Sequence, residues 1–115
     1  MIVAFSVAPS GLAPNADPNQ PANPDASVHE AVAAAVRIVR ESGLPNHTDA
    51  MFTSIEGDWD EVFAVVKAAT EAVGAFGSRV SLVLKADIRH GFTGELTGKV
   101  ERVEQALAEQ GLAGQ

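Results

Sequence analysis

The residues best placed to do chemistry crowd one corner of the sequence, the run TSIEGDWDEV from Thr53 to Val62. Glu56 stands just before Gly57, where a strand must turn into a helix whose first N–H groups point outward. A carboxylate there either complements the positive end of the helix dipole or accepts hydrogen bonds from an amino-bearing heterocycle. Lys85, Asp87 and Arg89 share one face of a later strand, a pattern that ordinarily forms a solvated or interfacial ion-pair network. His29, His47 and His90 lack the i, i+4 spacing of a metal-binding pair and read as surface histidines. No metal site is expected. There is no G-x-S-x-G elbow and no phosphate loop, so catalytic machinery is not visible and the expectation is a protein that is not an enzyme.

These side chains need a frame, and 115 residues supply one core. We expect a single domain over residues 1–115. With 46% hydrophobic and 20% charged residues the composition is that of a soluble globular chain. Its formal charge of −7 argues against nucleic acid, whose affinity for proteins comes largely from Lys and Arg, and suits a neutral or cationic small ligand. Without a single cysteine, disulfides and thiolate chemistry are excluded. The apolar start MIVAFSVA has no basic residue before it and no run approaches a membrane span, so the expected compartment is the cytoplasm, with no membrane partner.

Met1 to Ala8 is apolar on both faces, as in a central strand. Residues 9–25, PSGLAPNADPNQPANPD, are rich in proline, asparagine and aspartate and read as a long flexible loop. Ser27 with Glu30 forms a capping box, after which Val28, Val32, Ala35, Val36 and Val39 recur at helical spacing until Gly43. NHTDAMFTSIE is one bent strand or two short ones, and two fit better, with the turn near Asp49 and Ala50. Asp58 with Glu61 caps a second helix, whose expected buried stripe is Trp59, Val62, Val66, Ala69 and Val73, with Gly74 and Gly77 closing it. From Arg79 to Arg89, Val80, Leu82, Leu84 and Ala86 alternate with Ser81, Val83, Lys85, Asp87 and Arg89. A final helix over about Thr93 to Gln110 carries Leu96, Val100, Val103 and Leu107, with Glu95 placed to pair with Lys99.

The order strand, helix, strand, strand, helix, strand, helix predicts an α+β fold, a ferredoxin-like βαββαβ sandwich with an additional C-terminal helix. Acylphosphatase-type enzymes share that class, but their phosphate-cradling arginine belongs in the first loop, where this chain has none. The segment IRHGF superficially matches an RNA-binding motif, yet Ser81, Val83 and Lys85 before it offer no stacking platform.

The segments MIVAFSVAP, AVRIVRESGLPNHT, MFTSIEGDWDEVFAVVKAA, RVSLVLKADIR and GKVERVEQAL together resemble the YkoF-like thiamine-binding protein family, over nearly the whole chain. The resemblance rests most on the T-x-I-E-G-x-W-D-E-V run and on the K-x-D-x-R strand of Lys85, Asp87 and Arg89. It implies a ferredoxin-like fold, homodimers or homotetramers formed through sheet faces, and binding of thiamine or its hydroxymethylpyrimidine half without catalysis and without a cofactor. The candidate ligand residues are then Ser6, His47, Phe52, Thr53, Glu56 and Asp87. Hydroxyls, carboxylates and apolar walls suit a flat aminopyrimidine. The chain departs from the family pattern at Ala50 and Phe52, where proline and glycine are usual, so Phe52 either stacks on a pyrimidine or fills the pocket. The 9–25 loop is longer than the usual connection and either covers a site or dangles. The alternative function is a homo-oligomeric structural or regulatory module without a small ligand.

Overall fold

The computed structural model describes residues 1–14, 17, 19 and 28–111. Among them the order is β1 (Ile2–Ser10), α1 (His29–Glu41), β2 (Asn46–Thr48), β3 (Thr53–Glu56), α2 (Trp59–Val73), β4 (Arg79–Asp87) and α3 (Glu95–Glu109). The four strands form one antiparallel sheet in the order β2-β3-β1-β4. Each βαβ half has a strand of the other half inserted between its own two, and α3 is appended. This is the ferredoxin-like arrangement expected from the order of elements.

β1 is central because its apolar residues serve both sides of the pleat. Val3, Phe5 and Val7 are buried beneath α1 and α2 with Ile55, Val62, Val66, Ala69 and Val73, while Ile2, Ala4 and Ser6 face the opposite side. The strand runs through Pro9 and Ser10, which pair with Val80 and Arg79, so the expected loop begins two residues later than its composition implied. β3 pairs with β1 only as far as Phe5, and a proline is tolerated on a strand segment flanked on one side. The remainder of the loop and the Ser27 capping box fall largely or wholly outside the described residues.

The helices follow the expected periods with local corrections. α1 turns Ala31, Ala35 and Val39 to the core, whereas Val28 and Val32 are exposed. Gly43 ends it at a φ of 76°, as a left-handed C′ residue should. Asp58 caps α2 by accepting the Glu61 amide at 3.0 Å. Trp59, expected in the buried stripe, is 53% exposed at the first residue of α2, one turn before the buried stripe of Val62, Val66, Ala69 and Val73. Gly74 is the C-cap but keeps a right-handed φ of −60°, so it does not close α2 by a left-handed turn.

Gly77 matters for a different reason: it is buried where the chain leaves α2 for β4, and a Cβ there would lie 2.6 Å from the Ser10 carbonyl oxygen. The atoms it would meet, Ser10 O and N and Pro9 Cβ, all belong to the paired end of β1 and have little room to give. Gly77→Ala should therefore cost about 1–3 kcal/mol in urea unfolding, and an unchanged midpoint would show that the β1–β4 end is looser than this packing requires.

Candidate functional site

The register decides which candidate residues meet. Paired residues share a face, so Thr53, opposite Phe5, points towards the helices, while Ser6, His47, Glu56 and Asp87 lie on the alternate positions that face away from them. Two crevices result, at opposite ends of β3.

The first lies between α1 and the β2–β3 hairpin. Asp49 builds the turn: its Oδ1 accepts the amides of Met51 at 2.8 Å and Phe52 at 2.9 Å, and its own amide donates to the Phe52 carbonyl at 2.9 Å. Those two backbone donors hold the Asp49 carboxyl below its ordinary pKa. The hairpin in turn sets Thr48 Oγ1 3.2 Å from Thr53 Oγ1. A cavity of about 280 Å³ opens here, lined among others by Ser6, Val32, Thr48, Phe52 and Thr53. Because β1 pairs with β3 only to Phe5 but with β4 to Ser10, the β1 backbone beyond Phe5 has no strand on its β3 side, and that edge borders the cavity.

The second crevice surrounds Glu56, which is 7% exposed. Its carboxylate accepts the amide of Glu95 on Oε2 at 2.9 Å and that of Leu96 on Oε1 at 3.2 Å. The residue in the N-cap position of α3 is Gly94, which has no side chain to offer, so Glu56 caps the helix from the end of β3. Gly57 lets β3 turn at once into α2, and its amide donates to the Met1 carbonyl at 3.1 Å. Around this corner lies a larger cavity of about 660 Å³. Arg89 leaves the sheet after Asp87 and places its guanidinium 3.5 Å from the ring centre of Phe92. The expected Glu95–Lys99 pair is replaced: Lys99 pairs with Asp87 and Glu95 with Arg102. Glu95, at the first turn, lies against the sheet, so its partner comes from two turns further along the helix.

The six candidate residues thus divide. Ser6, Phe52 and Thr53 come together at the hairpin crevice, Glu56 borders the larger cavity, Asp87 is paired beyond it, and His47 stands on the outer sheet face beside Ser54. Thr48 and Asp49 were missed as site residues, although D-x-x-F after a short polar strand is the pattern of an Asx turn. Trp59 and Phe92 were missed at the other corner, and only the exposure of Trp59 in three dimensions marks it. Among the described residues no group of His, Asp and Glu is arranged to hold a metal, and no helix is long and apolar enough to cross a membrane.

The model of the family described as "Thiamine-binding protein" matches residues 18–104. The chain belongs to the thiamine-binding protein family. The chain is similar to UPF0045 protein Mb1933 of Mycobacterium bovis, 51% identical over 108 residues that cover 93% of this chain and 94% of that one. Hypothetical protein MJ1052 of Methanocaldococcus jannascii superposes with a TM-score of 0.71 at 27% identity, over 89% of this chain and 93% of its own. The Thermotoga maritima protein TM0486, provisionally assigned to thiamine biosynthesis or salvage, has the same fold at a TM-score of 0.67 and 23% identity, over 89% of this chain and 96% of its own.

Two outcomes follow for this member of the thiamine-binding protein family. Glu56→Gln replaces one acceptor oxygen by an amide that faces an N–H donor, so unfolding should be easier by about 1–3 kcal/mol, with faster hydrogen exchange at the Glu95 and Leu96 amides. An α3 whose exchange is unaffected would show that the cap does not hold it. Asp49, with its folded pKa lowered, adds stability above the ordinary carboxylate range that is lost as pH falls through the folded value. Asp49→Asn keeps an acceptor for the turn but cannot titrate. Melting curves of the variant should therefore flatten relative to the parent below about pH 4, and parallel curves would remove Asp49 from that pH response.

Proposed function

We propose that this protein binds thiamine, through its hydroxymethylpyrimidine moiety, in the crevice between α1 and the β2–β3 hairpin, without turnover and as a homo-oligomer. Membership of the thiamine-binding protein family supports the ligand class. The observation that carries the location is the open β1 edge beyond Phe5, facing a pair of threonine hydroxyls across a small cavity. An aminopyrimidine presents donors and acceptors along one rim, so it suits a free strand edge and hydroxyls that donate or accept as required. A space of about 280 Å³ suits one substituted ring rather than a large cofactor.

In this reading the open β1 backbone edge at Ser6 and the Thr53 hydroxyl supply polar contacts, and Phe52 forms an aromatic wall against the ring. Glu56 acts by fastening α3, at the other end of β3. The homo-oligomer is supported by the side of the sheet away from α1 and α2, where Val83 is 56% exposed, and by α3, where Val100 and Val103 are 61% and 58% exposed. Apolar side chains bared on neighbouring elements favour a second copy as cover. The same face favours the other reading, an assembly module with no small ligand.

Thermal shift separates the two, since a ligand that binds only the folded state raises the melting temperature. Thiamine and the pyrimidine alcohol should each stabilise the protein and the thiazole alcohol alone should not. Thr53→Val should weaken the pyrimidine by about fivefold through the lost hydroxyl, and Phe52→Ala by about three- to tenfold. No shift with any of the three compounds, in a protein that light scattering finds oligomeric, would leave the assembly reading in its place. A monomer by light scattering would overturn the homo-oligomer.

A further inference from the structure

We infer that the free edge of β4 pairs antiparallel with the β4 edge of a second copy, about a two-fold axis at Val83. This rests on the homo-oligomer proposed above and names the surface through which one pair of copies meets. β4 lies at the border of the sheet, and no described strand pairs with its other side. Along that side, alternate residues turn a backbone N–H and C=O outward. The strand pairs with β1 along nine residues in an unbroken register, so no bulge twists its edge away, and it contains neither proline nor glycine. β2, at the other border, is only three residues long, which is one way an edge is kept from pairing. The length of β4 gives it no such protection.

Charged side chains are the usual guard on a long edge, and β4 carries Arg79, Lys85 and Asp87. Their order makes them a guide instead. Two antiparallel copies centred on Val83 set Arg79 opposite Asp87 at both ends, Ser81 opposite Lys85, Val80 opposite Ala86 and Leu82 opposite Leu84, with Val83 facing itself. Opposite charges meet and apolar residues meet apolar ones, the pairs that stabilise a sheet. An axis at Leu82 would set Arg79 against Lys85, and one at Leu84 would set Val83 against Lys85 and carry Arg79 past the end of the facing strand. An axis between residues would place the helix-side residues of one copy level with the outer residues of the other. Parallel pairing in register would stack each charge on its twin. The observed side chains are ready for the first arrangement. Arg79 is exposed and has no ion pair within its own chain among the described residues, and Asp87 meets Lys99 through Oδ2, which leaves Oδ1. Leu82 is exposed although it lies on the helix side, paired with the buried Val7, and Leu84 of a second copy would cover it from the edge. An isologous contact of this kind closes on itself, and the short β2 borders do not extend it.

The chain has no cysteine, so a single introduced thiol reports on one position. Val83→Cys should oxidise readily to a disulfide-linked dimer on a non-reducing gel, because facing residues of an antiparallel pair lie about 4.5–5.5 Å apart between Cα atoms, within disulfide reach. Ser81→Cys should stay reduced, since its twin would stand about 13 Å further along the strand. Leu82→Cys mixed with a tagged Leu84→Cys should form the mixed disulfide on the helix side, which copies stacked only by their outer sheet faces could not do. Arg79→Asp should raise about tenfold the protein concentration at which the oligomer dissociates, and mixing it with Asp87→Arg should restore assembly, because each then supplies the charge the other lacks. Light scattering that finds only monomer would overturn the homo-oligomer and this inference together. An oligomer in which Val83→Cys stays reduced, Ser81→Cys cross-links as fast, the mixed disulfide fails to form, or the two charge variants do not rescue each other would overturn the β4 pairing alone.

Discussion

The layout of this protein depends on one inequality: β1 is bonded along nine residues to β4 but along only four to β3. A strand paired equally on both sides would have no free edge, and its backbone groups would be fully committed. Here the pairing with β3 stops where Asp49 folds the chain back, so the hairpin ends short and a length of β1 is left open under the flank of α1. The same short β3 reaches its other end at Glu56 after four residues. Both crevices therefore come from how little of β3 there is.

The Glu56 contact resolves a difficulty that α3 would otherwise have. This helix has two exposed valines, no side-chain cap of its own, and Gly94 where a capping residue would stand. An isolated helix of fifteen residues is marginal in water. A buried carboxylate thirty-nine residues earlier supplies acceptors for two of its orphan amides, and the Asp87–Lys99 pair adds a second, more exposed tie. Exposed pairs contribute little, so the buried cap carries the attachment. The cost is that Glu56 has little freedom left for a ligand.

Much of this was legible in the letters. The apolar run of β1 reports burial directly, while the alternation in β4 marks an inner face that is only half-covered, with Leu82 42% exposed; the element order followed from both. The caps at Asp58 and Gly43 are local, so spacing alone reveals them. Glu56 was legible as a corner residue beside a helix N-terminus, but the helix it caps is the third and not the second. No local pattern encodes a partner thirty-nine residues away. Trp59 was misplaced because its spacing in the stripe is correct, yet the buried positions of α2 begin only at Val62, one turn further on. The Glu95–Lys99 expectation failed in the same way: i, i+4 proximity is a helix property, but tertiary contacts gave each residue a different partner.

The two crevices are tied mechanically. Thr53 and Glu56 are the ends of one strand, about 10 Å apart at the rise of an extended chain. They point to opposite faces, Thr53 inward to its partner hydroxyl and Glu56 outward to α3, because the pleat alternates. A slip of β3 by one residue against β1 would exchange those faces, turning the threonine out of its crevice and driving the Glu56 carboxylate into Ile55's former place opposite Val3 in the core. The hydroxyl pair at one end and the helix cap at the other therefore hold the same register. Neither could be redesigned freely without loosening the other, and that is the strongest reason the strand can be so short.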